Sequence, residues 1–215
     1  MSSKSSVLVL MSDPLRRAGI EAIIAAANVA SRCVFVNSRE DLLTHSDSFR
    51  GCVLLAIDLD VDEVGAFELM ARMRLRAPSL PILAFDLRPG ADRAVRALRS
   101  GARGVVGDGA TREKLVEAVS AVAAGRRYLD GDAIGAVLDV AVSGQPEPLH
   151  HSLSNREYET LCLYGAGKRA GVIARELALS PKTVNTYRAR LLEKLNVGTT
   201  AELIRYAITH GLTSR

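Results

Sequence analysis

Residues 180–195, SPKTVNTYRARLLEKL, carry the pattern of one amphipathic helix, around which the C-terminal part of the chain is organised. Ser180 can accept a hydrogen bond from a free N–H group of the first turn, and Pro181 suits the first helical position because it has no N–H group. One face is predicted to be apolar, because Val184, Tyr187, Leu191 and Leu195 recur at helical spacing. The opposite face carries Lys182, Asn185, Thr186, Ala189 and Arg190.

The segments on both sides of this helix predict further short helices. Ser154 and Glu157 have the spacing of a capping box, and the helix that they begin ends at residues 165–167, Gly-Ala-Gly. A short helix over residues 172–177 follows, and three residues then lead into the amphipathic helix. A second capping box, Thr199 to Glu202, begins a last helix that ends at Gly211. Two helices joined by a tight turn, the second with a polar outer face, are typical of a helix-turn-helix.

Residues 153–212 resemble the four-helix DNA-binding domain of LuxR-type transcription regulators. The similarity lies in five short motifs in the family's order: LSNRE at 153–157, GK at 167–168, IARELALS at 173–180, KTV at 182–184 and LEKLNV at 192–197. Gly171 and Val172 depart from the family, which usually has a Lys-Glu pair there. The departure removes one expected phosphate contact, and the glycine weakens its helix by up to ~1 kcal/mol.

The resemblance implies that this domain binds double-stranded DNA as a homodimer on a pseudo-palindromic operator. Basic side chains are expected to contact phosphates, and Asn185 and Thr186 to face base edges in the major groove. The predicted DNA-contacting residues are Lys168, Lys182, Thr183, Asn185, Thr186, Tyr187, Arg188 and Arg190. The last helix has two stripes, one of Leu203, Tyr206 and His210 and the other of Ile204, Ala207, Ile208 and Gly211, and the sequence leaves open which of them faces the partner subunit. The predicted dimer contacts are Leu203, Tyr206, Ala207 and His210.

The composition limits the class of protein. The chain has 215 residues with a net charge of +4, and 48% of its residues are hydrophobic. Residues 1–143 hold 18 basic and 18 acidic residues, whereas residues 152–215 hold 10 basic and 5 acidic ones, so the positive excess falls on the predicted DNA-binding part. The sequence has no long apolar run and no signal-peptide or enzyme signature. A cytoplasmic, non-enzymatic protein without membrane segment, cofactor or metal is therefore expected.

The N-terminal part predicts a doubly wound α/β fold. Short apolar runs alternate with helical patterns, and residues 51–57, GCVLLAI, form a continuous apolar run that is typical of a strand covered on both faces. Five strands and five helices in alternation predict a five-stranded parallel sheet of the flavodoxin-like class. The predicted divisions are a domain over residues 1–129, a linker helix and tether over 130–151, and the helix-turn-helix domain over 152–215. Two adjacent histidines, 150 and 151, are expected to be exposed linker residues.

This part resembles the receiver domain of two-component response regulators, in particular the NarL/FixJ group, which carries LuxR-type DNA-binding domains. The similarity includes Asp13-Pro14-Leu15, the strand through Asp58, and residues 98–104, LRSGARG. A receiver takes phosphate on an aspartate at the end of its third strand. It uses Mg²⁺ held by two acids, a Thr or Ser, and a Lys to balance the charge of the phosphoryl group.

Most of this phosphate chemistry is missing from the predicted pocket, which comprises Ser12, Asp13, Asp58, Asp86 and Asp108. Asp58 is the candidate phosphate acceptor, although a shift of one residue would put Ile57 there. Met11 and Ser12 replace the acid pair. Asp86 and Asp108 stand at the Thr/Ser and Lys positions, where they would repel a phosphoryl group. Asp13 is explained most simply as a helix cap, and Arg88 or Arg103 could neutralise the acidic cluster.

The resulting hypothesis is a dimeric DNA-binding transcription regulator whose degenerate receiver works without aspartyl phosphorylation and receives a protein or small-molecule input. Three alternatives stay open. The first is a conventional response regulator phosphorylated at Asp58. The second is a cation site or proton-sensitive cluster formed by the four pocket aspartates. The third, which Gly171 and Val172 favour, is a protein-interaction module with weak DNA binding.

Overall fold

The structure, a computed structural model, describes residues 5–38, 41–42, 49, 51–60, 65–86, 91–107, 109–131, 134–135 and 148–213. The chain divides into two compact units, an N-terminal unit over residues 1–145 and a C-terminal unit over residues 146–215. None of the helices in the described ranges combines the length and the hydropathy that crossing a lipid bilayer requires.

The N-terminal unit is built on a parallel sheet, and its strands alternate with helices along the sequence. Six strands lie within the described ranges: β1 (Ser6–Leu10), β2 (Arg32–Val36), β3 (Cys52–Asp58), β4 (Ile82–Asp86), β5 (Gly104–Gly107) and β6 (Tyr128–Leu129). Their order in the sheet is β2-β1-β3-β4-β5-β6, and every neighbouring pair is parallel. The predicted α/β class is confirmed, and the short edge strand β6 adds one strand to the five that were predicted.

Four helices of this unit lie within the described ranges: α1 (Pro14–Ala27), α2 (Ala66–Arg76), α3 (Ala91–Ser100) and α4 (Arg112–Ala123). The predicted helix from Ser38 to about residue 45 lies largely outside the described residues. The same holds for most of the predicted linker helix over 132–142 and for the predicted tether over 143–148, of which only Pro148 is described.

Strand β3 explains why the sequence forms this sheet, because its side chains are buried on both faces. Leu55 and Ile57 belong to one hydrophobic core, and Leu54 and Ala56 belong to the core on the opposite face. A continuous apolar run is what a strand covered on both sides requires. Ile57 is fully buried in the core, so Asp58 is the residue that ends the strand at the carboxyl edge of the sheet.

The C-terminal unit consists of a 3₁₀-helix (Leu149–Ser152) followed by α5 (Asn155–Gly165), α6 (Ala170–Glu176), α7 (Pro181–Lys194) and α8 (Thr200–Thr209). Its core contains Val184 and Leu191 of the predicted apolar stripe, both with no exposed surface. The turn between α6 and α7 passes through Ala178, whose φ of 53° places a non-glycine residue in the left-handed region. This tight turn sets α7 against α6 in the helix-turn-helix arrangement that was predicted.

Candidate nucleic-acid interface and receiver pocket

The outer face of α7 presents a continuous set of polar and basic side chains to solvent. Lys182, Asn185, Thr186 and Arg190 are all exposed, and Ala189 between them adds no bulk. The Thr186 hydroxyl donates to the Lys182 carbonyl at 3.1 Å and keeps its lone pairs for a donor from outside. A helix face that combines cations with an amide is suited to contact phosphates and base edges together.

Helix α7 is held in place at both of its ends. At its beginning the Ser180 hydroxyl accepts from the Thr183 N–H at 3.1 Å, as the predicted cap requires. Near its end the Lys194 ammonium donates to Glu157 of α5 at 2.7 Å. Burial by itself raises the pKa of Glu157, but the Lys194 ammonium and the Ser154 donors outweigh it and hold the pKa below its usual value. The capping box that begins α5 therefore also anchors α7.

Four of the predicted DNA-contacting residues lie away from the exposed face or have partners within the domain. Thr183 and Tyr187 are half-buried, and the Thr183 hydroxyl lies 2.8 Å from the Ser180 hydroxyl. Arg188 donates to the Thr200 hydroxyl at 3.0 Å, so its guanidinium is directed at the start of α8. Lys168 forms an ion pair with Glu176 at 2.7 Å. A DNA contact by any of these four stays a prediction, and Arg188 fits better as a residue that joins α7 to α8.

Helix α8 corrects the predicted dimer contacts. Leu203 and Ala207 have no exposed surface within a single chain, so their assignment to a contact between subunits is wrong. Leu203 belongs to one of the two predicted stripes and Ala207 to the other, and both are buried because the side of the helix that they share faces inward. Tyr206 is half-buried and His210 is exposed, both contact His150 of the same unit, and their part in a dimer stays a prediction. On the opposite side of the helix Ile208 is 59% exposed.

The two histidines expected in an exposed linker are instead buried in the C-terminal unit, with 1% and 6% of their surfaces exposed. His150 and His151 belong to the 3₁₀-helix, and the His150 Nδ1 lies 3.0 Å from the Tyr206 hydroxyl of α8. The His150 ring also lies 5.1 Å from the His210 ring, centroid to centroid. The prediction was wrong because Pro148 made the segment resemble the end of a tether, whereas it packs against the last helix.

In the N-terminal unit, the candidate acceptor aspartate is paired with an arginine. Asp58 ends β3 with 2% of its surface exposed, and its Oδ2 lies 2.8 Å from Arg16 Nη1 of α1. Its Oδ1 accepts from the Asp60 N–H at 2.9 Å. The hydrogen bond to Asp58 raises the pKa of Arg16 despite partial burial, so this cation is permanent. Both oxygens of the candidate acceptor therefore already have donors.

A second arginine occupies the neighbouring position. Arg93 Nε lies 2.9 Å from both oxygens of Asp86, and Arg93 Nη2 lies 3.5 Å from Asp60 Oδ1. Asp60 in turn lies 3.8 Å from Arg16 Nη1, so one network of alternating charges runs from Asp58 to Asp86. The expectation that Arg103 neutralises this cluster is wrong, because its guanidinium donates to the Gly125 carbonyl at 2.9 Å. Arg88 lies outside the described residues.

The remaining predicted pocket residues do not supply a magnesium site. Asp13 caps α1, its Oδ1 accepting from the Leu15 and Arg16 N–H groups at 2.8 and 3.1 Å. Ser12 is exposed and Met11 is buried. Asp108 lies outside the described residues, so its part in a cluster of four aspartates stays a prediction. Within the described ranges no three His, Cys, Asp or Glu side chains come together as metal ligands. Mg²⁺ binds through carboxylate oxygens, and the Asp58 and Asp86 carboxylates are each paired with an arginine, so the described pocket residues do not fit it.

Comparison with known proteins agrees with this architecture. Residues 151–207 match the family model of bacterial regulatory proteins, luxR family. The response regulator GacA of Pseudomonas protegens is 28% identical over 206 residues, which cover 96% of each chain. The response regulator UvrY of Escherichia coli is 28% identical over 208 residues, which cover 96% of this chain and 95% of UvrY. Both relatives are response regulators.

The solved structure of RcsB from Salmonella enterica serovar Typhimurium, bound to the rprA promoter in the presence of phosphomimetic BeF3-, has the same fold. The TM-score is 0.65 at 20% identity over 94% of this chain and 98% of RcsB. Residues 151–207 of the chain thus match the luxR-family model, and the chain is similar along nearly its whole length to response regulators.

Proposed function

We propose that this protein is a transcription regulator that binds DNA as a dimer and whose receiver operates without aspartyl phosphorylation. The proposal has three parts, namely base reading by α7, dimerisation through α8 and an input other than phosphate. Each part depends on different residues, so each can fail separately.

The outer face of α7 supports the DNA-binding part. Its exposed cations, Lys182 and Arg190, flank an exposed amide and hydroxyl, Asn185 and Thr186. Cations that contact phosphates supply affinity for any DNA sequence, whereas an amide that pairs with a base edge supplies sequence preference. The relative RcsB has been solved bound to promoter DNA. We infer that α7 is the recognition helix and lies in the major groove.

The exposed side of α8 supports the dimer. Ile208 is a large apolar side chain with 59% of its surface exposed, and Ile204 on the same side is half-buried. A two-fold dimer through this side would place two α7 helices on half-sites about one helical turn, ~10 bp, apart.

The single observation that carries the phosphorylation-independent part is the ion pair between Asp58 and Arg16. A phosphoryl group added to Asp58 would have to displace the Arg16 guanidinium or share it with the new dianion. Asp86 stands where receivers have a Thr or Ser. It adds a negative charge next to Asp58, and Arg93 already neutralises that charge. In a phosphorylated receiver, Mg²⁺ and a lysine balance the charge of the phosphoryl group. Here the positive charges next to the aspartates are the Arg16 and Arg93 side chains, which are part of the chain and cannot dissociate.

Phosphodonor labelling tests this part directly. The full chain is incubated with acetyl phosphate and Mg²⁺ and its intact mass is measured, with a response regulator that has the complete acid pair and lysine treated in parallel as the positive control. The mass is expected to stay unchanged. Asp58→Asn should bind the operator within about a factor of two of the wild type, or ~0.4 kcal/mol. A gain of one phosphoryl group on Asp58 with tighter DNA binding would overturn the proposal and favour a conventional response regulator.

A conventional response regulator is the second candidate function, and one observation favours it. Asp58 lies at the carboxyl end of β3, which is where receivers carry their phosphate acceptor. Its side chain is 2% exposed and engaged on both oxygens, however, and a phosphodonor would need Arg16 to withdraw first.

A further inference from the structure

An open cleft of about 510 Å³ lies in the N-terminal unit between α1 and α4, next to Asp58. Its lining is mostly apolar and includes Met11, Ile20, Ile23, Phe85 and Leu115. Binding sites for small molecules typically enclose about 300–1,000 Å³ and have apolar walls with a few polar groups. The size and the lining of this cleft both fall within that class.

Among the residues that the structure describes, two basic side chains and one acidic side chain line the cleft. Arg16 and Arg112 line it, and the acidic lining residue in the described part of the chain is Asp58. Asp58 is almost completely buried behind Arg16, whose side chain is 37% exposed. Arg16 is already paired with Asp58 and Asp60, so among the described lining residues Arg112 is the exposed cation that an anionic group on an apolar ligand would meet.

The cleft also lies where the topology of the sheet favours a ligand. The strand order reverses direction at β1, which lies between β2 and β3, and ligands of open α/β sheets bind beyond the carboxyl ends of the strands near such a point. Met11 directly follows β1, and Asp58 and Gly107 end β3 and β5. All three line the cleft, so a molecule held there would touch the ends of several strands at once.

We propose that this cleft binds a small, mainly apolar molecule with a single anionic group, the apolar body against the α1–α4 walls and the anion at Arg112. This inference names the chemical class of the input that would act in place of phosphate at the same edge of the sheet. In that respect it rests on the proposed function. The binding itself depends on the cleft alone, and its test involves no phosphate.

Gly19 offers a way to fill the cleft without breaking the fold. It lies in the middle of α1, lines the cleft, and a Cβ added there meets nothing within 4 Å. Gly19→Leu therefore adds a side chain where there is open space, and leucine is also the better helix former. Ala18→Leu is the matched control, because Ala18 is exposed on the same helix and is not part of the lining.

The experiment uses two fluorescent probes that share one ring system, 8-anilino-1-naphthalenesulfonate and its uncharged analogue N-phenyl-1-naphthylamine. Titrated into the folded full chain, the sulfonate should bind saturably at one site per chain and more tightly than the neutral probe. Gly19→Leu should remove this binding without lowering the melting temperature, and Ala18→Leu should leave it unchanged. Arg112→Gln should weaken the sulfonate about tenfold, as expected for one charge-assisted hydrogen bond, and leave the neutral probe unaffected.

Three results would overturn the proposal. The first is sulfonate binding to Gly19→Leu with wild-type affinity, and the second is equal affinity for both probes in the wild type. The third is a change in oligomeric state of Gly19→Leu without any effect on probe binding, which would assign the cleft to an interface between copies. Phosphorylation of Asp58 together with probe binding would reject the proposed function but support this inference. An Asp58 that is not phosphorylated, together with no probe binding, would reject this inference but leave the proposed function standing.

Discussion

Removal of the Arg16 side chain is the sharpest test of the ion-pair network in the receiver pocket. Arg16→Met deletes the charge and all donors but keeps the unbranched stem and the helix propensity of α1. Asp58, with 2% of its surface exposed, would then lose the guanidinium that lies 2.8 Å from its Oδ2. The carboxylate keeps one donor, the Asp60 N–H at 2.9 Å, so it is left partly but not fully satisfied.

The expected destabilisation follows from how deeply each partner is buried. Breaking a fully buried ion pair by removing one partner costs about 3–5 kcal/mol, whereas an exposed pair contributes about 0–1 kcal/mol. Asp58 belongs to the first class, but the Arg16 side chain is 37% exposed, so solvent screens part of the interaction. We therefore expect Arg16→Met to lower the free energy of unfolding of the N-terminal unit by ~2 kcal/mol at pH 7.

Urea unfolding followed by far-UV circular dichroism measures this change, with hydrogen exchange of β3 peptides assigning the transition to the N-terminal unit. Arg72→Met is the control, because Arg72 pairs with Glu68 one turn away on α2 and its side chain is 55% exposed. Its expected effect is below ~0.5 kcal/mol. In the double variant with Asp58→Asn, the loss should be smaller than the sum of the single losses by ~1 kcal/mol or more. An Arg16→Met effect no larger than the control, or strict additivity, would refute the reasoning.

Three further predictions concern the C-terminal unit. Asn185→Ala should cost ~1–3 kcal/mol on the specific operator and relax preference at one base pair, whereas Lys182→Ala should weaken all DNA alike and reduce the salt slope by about 1. Binding titrations on operator and random DNA separate them, and equal losses for Asn185→Ala on both would contradict base reading. Ile208→Asp should weaken dimerisation in analytical ultracentrifugation, with the exposed neighbour Thr209→Asp as control; an unchanged dimer would exclude this side of α8. Because the pKa of Glu157 is lowered in the folded chain, its ion pair stabilises above the unfolded pKa of ~4.3 and this contribution is lost as pH falls through the folded pKa. Melting temperatures between about pH 7 and 3 should fall less steeply in Glu157→Gln than in the wild type, and parallel curves would argue against the pair.

Local patterns in the sequence predicted the parts of the structure that local physics determines. Asp13, Ser154, Ser180 and Thr199 were each expected to begin a helix, and each accepts a hydrogen bond from an N–H group of the first turn. The apolar run before Asp58 became the central strand. In each helix cap the donor and the acceptor are within three residues of each other, and in the strand the burial of apolar side chains alone determines the structure.

The features that the sequence did not predict depend on partners that are distant along the chain. Arg16 and Asp58 are 42 residues apart, and no local pattern indicates that α1 directs this arginine at the end of β3. The His150 contact with Tyr206 spans 56 residues, so nothing next to the histidines indicated their burial. One signal could have pointed to Arg16: it lies in the first turn of a helix that starts at the carboxyl edge of a parallel sheet.

Under the proposed function, a signal to this unit does not act by adding charge at Asp58, and the ion-pair network is the reason. In a phosphorylated receiver the balancing cation is Mg²⁺, which binds and leaves, so the state of the pocket depends on what is bound. Here the balancing cations are arginines, which stay protonated at any pH at which the protein folds and are covalently part of α1 and α3. A signal that acts on this unit must then change something other than that charge, and the α1–α4 cleft is suited to this because a ligand there would press on Arg16 and on α1 without adding charge to Asp58.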